Sequence, residues 1–358
     1  MLPFFRFKKD LTISTNYIIM EIKSSSTEAK KMPSPQIQLK ILPDPNLSKA
    51  KQPFDPELEQ RKINNLIKSA LNLLHRDGAI IALSGGLDSA VTAALTVKAL
   101  GKDRVLAINL PERDSKPIHQ QHAKRMAKHL DIAFKRIRIT NAVKTIGAYK
   151  LLPLRIIPSR KLRNKAVDYG KKHFLNHHGE HLLENRLDPP KNSWIARGNA
   201  YAIAKHRIRM VKIYQLAELQ NLMVVGAANR TEWLTGTFSK WGVDHCADVM
   251  PIVHLYRSEV EILAKFLNIP DWILMKSADP DIIPGDINKE QLLGGFKQTD
   301  EILRTVENYF NKIQSTSWLK YRTDLKEELY KTFQKDDVDN ILALFEKSAH
   351  MRESPFHL

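Results

Sequence analysis

Six residues, Ser84-Gly85-Gly86-Leu87-Asp88-Ser89, bring two hydroxyls, two glycines and a carboxylate between an apolar run at 80–83 and an Ala/Leu/Val-rich stretch. The run reads as a buried strand and the stretch as a helix, so the polar residues fall in a strand–turn–helix start. That geometry offers free backbone N–H groups and the positive end of a helix to an anion. Gly85 and Gly86 let the backbone come close to a phosphate, and Ser84 and Ser89 add hydroxyl donors. Asp88 makes sense among phosphates where a metal bridges the two. The segment therefore predicts a nucleotide site with Mg²⁺. A bare Gly-Gly pair would mean only a turn before a core helix; Ser, Asp and Ser at these offsets argue for chemistry. The lysine that a P-loop needs is absent.

Other chemistry-bearing residues lie further along. Lys205 and Arg209 are i,i+4 neighbours on a helical stretch and share a face, with Arg207 pointing elsewhere. Cations there would stabilise charge building on a departing pyrophosphate. Glu232 follows the strand-like 222–226 and is the second carboxylate expected near Mg²⁺, paired with Asp88. In the polar stretch 236–259, Lys240 and Arg257 are candidates for phosphates. Asp244 and Asp248 are candidates for sugar or base groups. Cys246, the only cysteine, has no accompanying base and reads as a small packing residue.

Elements must hold these residues in place. Apolar spacing predicts a helix over 55–76, with Asp55 as N-cap and Pro56 at its first position. Strands are expected at 79–83, 104–110, 134–139 and 222–226, and helices at 88–100, 118–130, 200–220 and 258–267. Helices are also expected within 286–312 and 323–347. This alternation predicts an α/β fold: a doubly wound parallel sheet flanked by helices, with C-terminal helices added. Ligands on such sheets sit at the carboxyl ends of the strands, where the SGGLDS turn and Glu232 both fall.

The 358 residues exceed one average domain. No apolar run reaches the ~18–20 residues that span a bilayer. A single cysteine excludes an intrachain disulfide framework and a cysteine-rich zinc site, and the cytosol is the expected compartment. The net charge of +17 is uneven. Residues 1–52 hold nine Lys/Arg against four Asp/Glu, and residues 141–198 hold twelve against four. Neither stretch carries a nucleic-acid-binding motif, and both read better as solvated basic faces that attract polyphosphates. Residues 1–52 are expected to be a flexible basic tail. Residues 141–198, with His173, His177, His178 and His181, interrupt the rhythm and are expected to be a basic insertion near the site.

The SGGLDS string resembles the pyrophosphate loop of the N-type ATP pyrophosphatases, of the adenine nucleotide alpha hydrolase-like fold. The order SGGLDS, KHRIRM, GAANRTEWLTGTFSKWG, then ADVMPIVHLYRSEVEILAKFLNIP resembles ammonia-dependent NAD synthetase over roughly 55–310. The resemblance implies that ATP adenylylates the nicotinate carboxylate of deamido-NAD, and that ammonia then displaces AMP. It implies Ser84, Gly85, Gly86, Asp88 and Ser89 on the pyrophosphate, and Asp88 and Glu232 on Mg²⁺. Arg209 and Arg257 would contact ATP, with Arg257 in place of a phosphate-binding lysine. Arg207, Lys240 and Asp244 would contact the substrate, and Asp279 would lie in a mobile loop near the phosphates. A homodimer is implied, as is free ammonia or ammonia delivered by a separate donor. Under this reading the catalytic unit is 53–312, and 313–358 is a C-terminal helical extension.

Departures from the family pattern are visible. Ala227 stands where the family has threonine, and Gly242-Val243-Asp244-His245 replaces G-D-G. The PGQTDE loop is matched here to residues 284–290. Two other readings stay open: the same adenylylation on another carboxylate or a tRNA base, or a nucleotide-binding protein without catalysis.

Overall fold

The computed structural model describes residues 18–21, 38–41, 54–152, 157, 159, 162–163, 165, 182–191, 193–276, 293–313 and 318–353. Asp279, the four insertion histidines and residues 284–290 lie outside them. Within 1–52, two short strands, β1 (Ile18–Glu21) and β2 (Gln38–Ile41), pair antiparallel.

Helix α1 (Pro56–Leu73) starts as its sequence predicts. The Asp55 carboxylate accepts the N–H groups of Glu57 at 2.9 Å and Leu58 at 3.1 Å, and Pro56 opens the first turn. Strand β3 (Gly78–Ala82) follows, then α2 (Leu87–Leu100), β4 (Val105–Asn109), α3 (Pro117–His129) and β5 (Ala133–Arg136). A short α4 (Thr140–Thr145) follows, and α5 (Leu182–Leu187) lies further along the chain. Helix α6 (Trp194–Leu219) begins six residues before the sequence-based start at 200, because Ser193 Oγ caps it by accepting the Ala196 N–H at 3.0 Å. Strand β6 (Leu222–Val225), α7 (Arg230–Thr235), α8 (Arg257–Phe266) and α9 (Asp271–Leu274) follow. Helices α10 (Phe296–Ile313), α11 (Trp318–Tyr330) and α12 (Lys335–Lys347) come after these.

The sheet is parallel, in the order β5-β4-β3-β6. Side chains alternate across it. Ala79 and Ile81 of β3 pack with α1, α2, α3 and α8, whereas Ile80 packs with α6. Both faces are thus covered, which is why the central strands are apolar throughout. Strand β5 is one of the two edges and is largely exposed. It is shorter than 134–139, although Ile137 and Ile139 still donate to the carbonyls of Asn109 and Pro111. A separate apolar cluster joins α10, α11 and α12 to α5 and α7. Among the described residues no helix is long and apolar enough to cross a membrane.

Candidate active site

The turn between β3 and α2 is held by its own side chains. Ser84 and Ser89 hydroxyls lie 2.9 Å apart, the Ser84 N–H donates to Ser89 Oγ, and the Gly86 N–H donates to Ser84 Oγ at 3.2 Å. No side chain caps α2 at Gly86, so its first-turn N–H groups open onto the cavity that Ser84, Gly86, Asp88 and Ser89 line.

The two glycines do different work. Gly85 has φ +81°, and a Cβ there would stand 2.3 Å from the His119 carbonyl of α3. Gly86 has an ordinary φ of −103°, and its added Cβ would meet only Ser84 Oγ, at 3.4 Å. Gly85 therefore makes the turn and Gly86 keeps the anion side open. Gly85→Ala is expected to lose about 3 kcal/mol or more of stability, since strain and a backbone clash combine. Gly86→Ala is expected to melt within a few degrees of wild type yet bind ATP about tenfold more weakly, its methyl added at the cavity wall. Thermal melts and ATP titrations of the two variants separate these roles.

Asp88 and Glu232 line the same cavity. Asn229, the N-cap of α7, links them: its Nδ2 donates to Asp88 Oδ1 at 2.9 Å and its Oδ1 accepts the Glu232 N–H at 2.9 Å. Asp88 Oδ2 accepts from Arg257 at 2.9 Å, and Arg257 also reaches Glu261 at 3.1 Å. Burial works against the Arg257 charge, but Asp88, Glu261 and Glu232 hold its pKa above the ordinary arginine value. Among the described residues no group of three or more His, Cys, Asp or Glu forms a metal cluster. A pair of carboxylates beside a phosphate cradle fits Mg²⁺, which takes one or two carboxylates together with phosphate oxygens and water.

Arg209 also lines the cavity, its Nε donating to the Leu110 carbonyl at 3.1 Å. Lys205, one turn earlier, does not. It is fully buried in an ion pair with Glu112 at 3.0 Å, and Glu112 also accepts from the Tyr149 hydroxyl at 2.8 Å. The expectation that Lys205 meets a triphosphate is therefore corrected: it anchors α6 to the segment after β4. Arg207 is exposed, and neither it nor Lys240 lines the cavity; Lys240 Nζ donates to the His350 carbonyl at 2.6 Å. Asp248 serves the sheet, accepting the Val224 N–H at 2.7 Å and the Tyr214 hydroxyl at 3.1 Å. Burial pushes the Cys246 thiol up, away from a nucleophile's range.

Asp244 does line the cavity, facing His206 of α6 at 3.4 Å. Burial alone would raise its pKa, but His206 and the Ser239 N–H, at 3.0 Å, hold it at about 2. The folded value lies below the ordinary one, so this stabilisation is complete above pH ~4 and lost as pH falls toward 2. Asp244→Asn is expected to flatten the acid limb of the stability curve over that window by about 1–2 kcal/mol, read from urea midpoints at each pH.

Three contributions escaped the sequence reading. Lys276 donates to the Gly85 carbonyl at 2.8 Å and meets His119 Nδ1 at 2.5 Å, bracing the phosphate turn. Asn229 spaces the two carboxylates. Asp300 of α10 is buried, accepts from the Thr231 hydroxyl, and accepts the Ser258 N–H at 2.8 Å. It thereby ties the helix of Glu232 to the start of the helix of Arg257. The letters Gln298-Thr299-Asp300-Glu301 recur in α10, while residues 284–290, matched to the PGQTDE loop, lie outside the described residues.

A parallel sheet with an anion cradle, two carboxylates and two arginines on one cavity is equipped to split a nucleotide's phosphates. A family model for NAD synthase matches residues 59–153 and 180–355. The chain belongs to the NAD synthase family. The NH(3)-dependent NAD(+) synthetase of Thermotoga neapolitana is 39% identical over 246 residues, covering 68% of this chain and 82% of the relative. That of Methanocaldococcus jannaschii is 30% identical over 296 residues, covering 82% and 93%. Among solved structures, NMN synthetase from Francisella tularensis aligns with a TM-score of 0.59 at 23% identity, covering 86% of this chain and 99% of that one. The NH3-dependent NAD synthetase of Campylobacter jejuni aligns at 0.55 and 22%, covering 86% and 100%. These two likenesses show the NAD synthase fold, while the sequence match shows the family.

Proposed function

We propose that the chain is a C–N bond-forming ligase that converts deamido-NAD to NAD with ATP and ammonia. The observation that carries this is the uncapped start of α2, opening with Asp88 and Glu232 onto one cavity in a chain of this family. A nicotinate carboxylate oxygen forms a bond to the α-phosphorus as the α–β bridging P–O bond breaks. The bond pair leaves on pyrophosphate. Ammonia then attacks the acyl carbon and AMP departs.

The α2 N–H groups, Ser84, Ser89 and Gly86 bind the β- and γ-phosphates, and Arg209 and Arg257 offset the charge on the leaving group. Holding both substrates in one cavity supplies the proximity. Asp88 and Glu232 would hold Mg²⁺, which when bound neutralises phosphate charge. Asp279 is assigned to the phosphates on the resemblance. Arg207 and Lys240, outside the cavity of a single chain, are assigned to the acceptor in a homodimer whose interface builds that site. We take 53–312 as the catalytic unit, with 141–198 as an insertion and 313–358 as a C-terminal extension. The enzyme is placed in the cytoplasm, with ammonia arriving free or from a separate donor.

The test is to follow pyrophosphate and NAD together, the latter by mass, with Mg-ATP and ammonium, with and without deamido-NAD. Coupled formation of both products supports the reading. ATP binding without deamido-NAD-stimulated turnover would sink it.

A further inference from the structure

The pair His206–Asp244 is a polar feature of the cavity that the scheme above does not use. His206 Nδ1 lies 3.4 Å from Asp244 Oδ1, within ion-pair distance though neither atom is hydrogen-bonded, and His206 Nε2 has no hydrogen-bond partner. Buried polar atoms left unpaired cost roughly 1–3 kcal/mol each, so such an atom on a cavity wall calls for a role. The two residues are positioned from opposite sides. His206 sits on α6 between Lys205 and Arg209. Asp244 hangs in the loop after α7, where the Val243 N–H donates to the His206 carbonyl at 3.3 Å and Ser239 fixes the other carboxylate oxygen. Gly242 packs so closely that a Cβ there would lie 2.9 Å from His206 Cβ. The departure from the family's G-D-G thus rests directly on this histidine.

A carboxylate behind an imidazole, with the far nitrogen unpartnered, is the arrangement of an oriented general base. The reaction proposed above needs one, because at neutral pH ammonia is mostly ammonium and has no lone pair to attack with. We propose, on that reading of the reaction, that His206 Nε2 takes a proton from the ammonium co-substrate while Asp244 orients the ring. One ammonium N–H bond breaks and its proton moves to Nε2. The freed nitrogen lone pair forms the C–N bond to the acyl adenylate, and the C–O bond to AMP breaks with its electrons on the phosphate. The second surplus proton leaves with the departing phosphate or to solvent. In the competent tautomer Nδ1 carries its hydrogen toward Asp244, and the imidazolium formed is stabilised by that carboxylate.

The charged surroundings suit this role. Burial, with Arg209 and Lys205 on the same helix, lowers the His206 pKa and so favours the neutral ring from which the step starts, while Asp244 opposes them and favours the imidazolium that forms. Arg186 of α5 and the neighbouring His245 also face Asp244.

The experiment compares ammonium chloride with hydroxylamine, which is largely neutral at neutral pH and needs no such base, using the full chain with saturating Mg-ATP and deamido-NAD. His206→Asn is expected to lower kcat/KM for ammonium by about 100-fold and to recover as pH rises and free ammonia increases. The hydroxylamine reaction is expected to fall far less. Asp244→Asn is expected to show the same contrast more weakly, and it serves if His206→Asn does not fold. An equal fall for both nucleophiles, or no fall with ammonium, overturns the role of His206 alone. A wild-type protein that turns over neither nucleophile overturns the ligase reading, and this inference with it.

Discussion

Asp88→Asn is expected to slow pyrophosphate release by about a thousandfold at saturating ATP, a loss of about 4 kcal/mol in transition-state stabilisation. The size follows from how many functions meet on one carboxylate. Asp88 stands in the first turn of α2, beside the phosphate cradle, accepting from Asn229 and from Arg257. An asparagine of the same shape keeps one acceptor for Asn229. Its amide nitrogen, however, turns two donors toward a guanidinium that is itself only a donor. Arg257 has a side chain 9% exposed and would keep Glu261 alone. Replacement therefore removes a ligand proposed for Mg²⁺ and releases a cation meant for the phosphates. Steady-state rates over a Mg²⁺ titration check this, because a lost metal ligand raises the Mg²⁺ requirement whereas a purely structural role would not. Asp88→Asn turnover within tenfold of wild type, at an unchanged Mg²⁺ requirement, would remove Asp88 from the chemistry.

What the sequence revealed of the site was its contiguous part. Ser84, Gly86, Asp88 and Ser89 sit within six residues at a strand end, and local spacing there dictates the geometry. Glu232 was legible for the same reason, seven residues past β6 in the first turn of α7. The parallel sheet was legible because strands buried on both faces are apolar throughout, whereas β5, exposed at the edge, was placed too long. Contacts between distant segments were not readable. Asn229 to Asp88, Lys276 to Gly85 and His206 to Asp244 join residues far apart in the chain, and no local pattern announces them. The i,i+4 spacing of Lys205 and Arg209 correctly put both on one face of α6. It could not tell that the face runs from the core, at Lys205, out to the cavity, at Arg209. Asp300 escaped for the same reason, since it joins Thr231 and Ser258, both far from it in the chain.

Lys205→Met is expected to cost about 3–5 kcal/mol of folding stability, because it strands Glu112 as an uncompensated charge in a fully buried site. Burial already pulls the Lys205 pKa below its ordinary value, and Glu112 opposes that pull. The pair thus depends on both members being present. Removing the second partner should restore much of the loss, since a well-packed apolar replacement of a buried pair is often neutral. Glu112→Leu with Lys205→Met still leaves the Tyr149 hydroxyl without its acceptor, a cost of roughly 1–3 kcal/mol. Adding Tyr149→Phe should recover most of that. Urea midpoints across the single, double and triple variants measure the coupling, and a double variant no more stable than Lys205→Met would show that the pair is not the source of the loss. The same contacts reach the active site. Leu110, Pro111 and Ser115 flank Glu112 and line the cavity, and Arg209 rests on the Leu110 carbonyl one turn beyond Lys205. Asp114, in the same segment, accepts from the Tyr201 hydroxyl and from Arg163 at 2.8 Å. A buried lysine outside the cavity therefore supports the helix turn that carries Arg209, the arginine proposed for the phosphates, so the triple variant should regain stability before it regains full turnover.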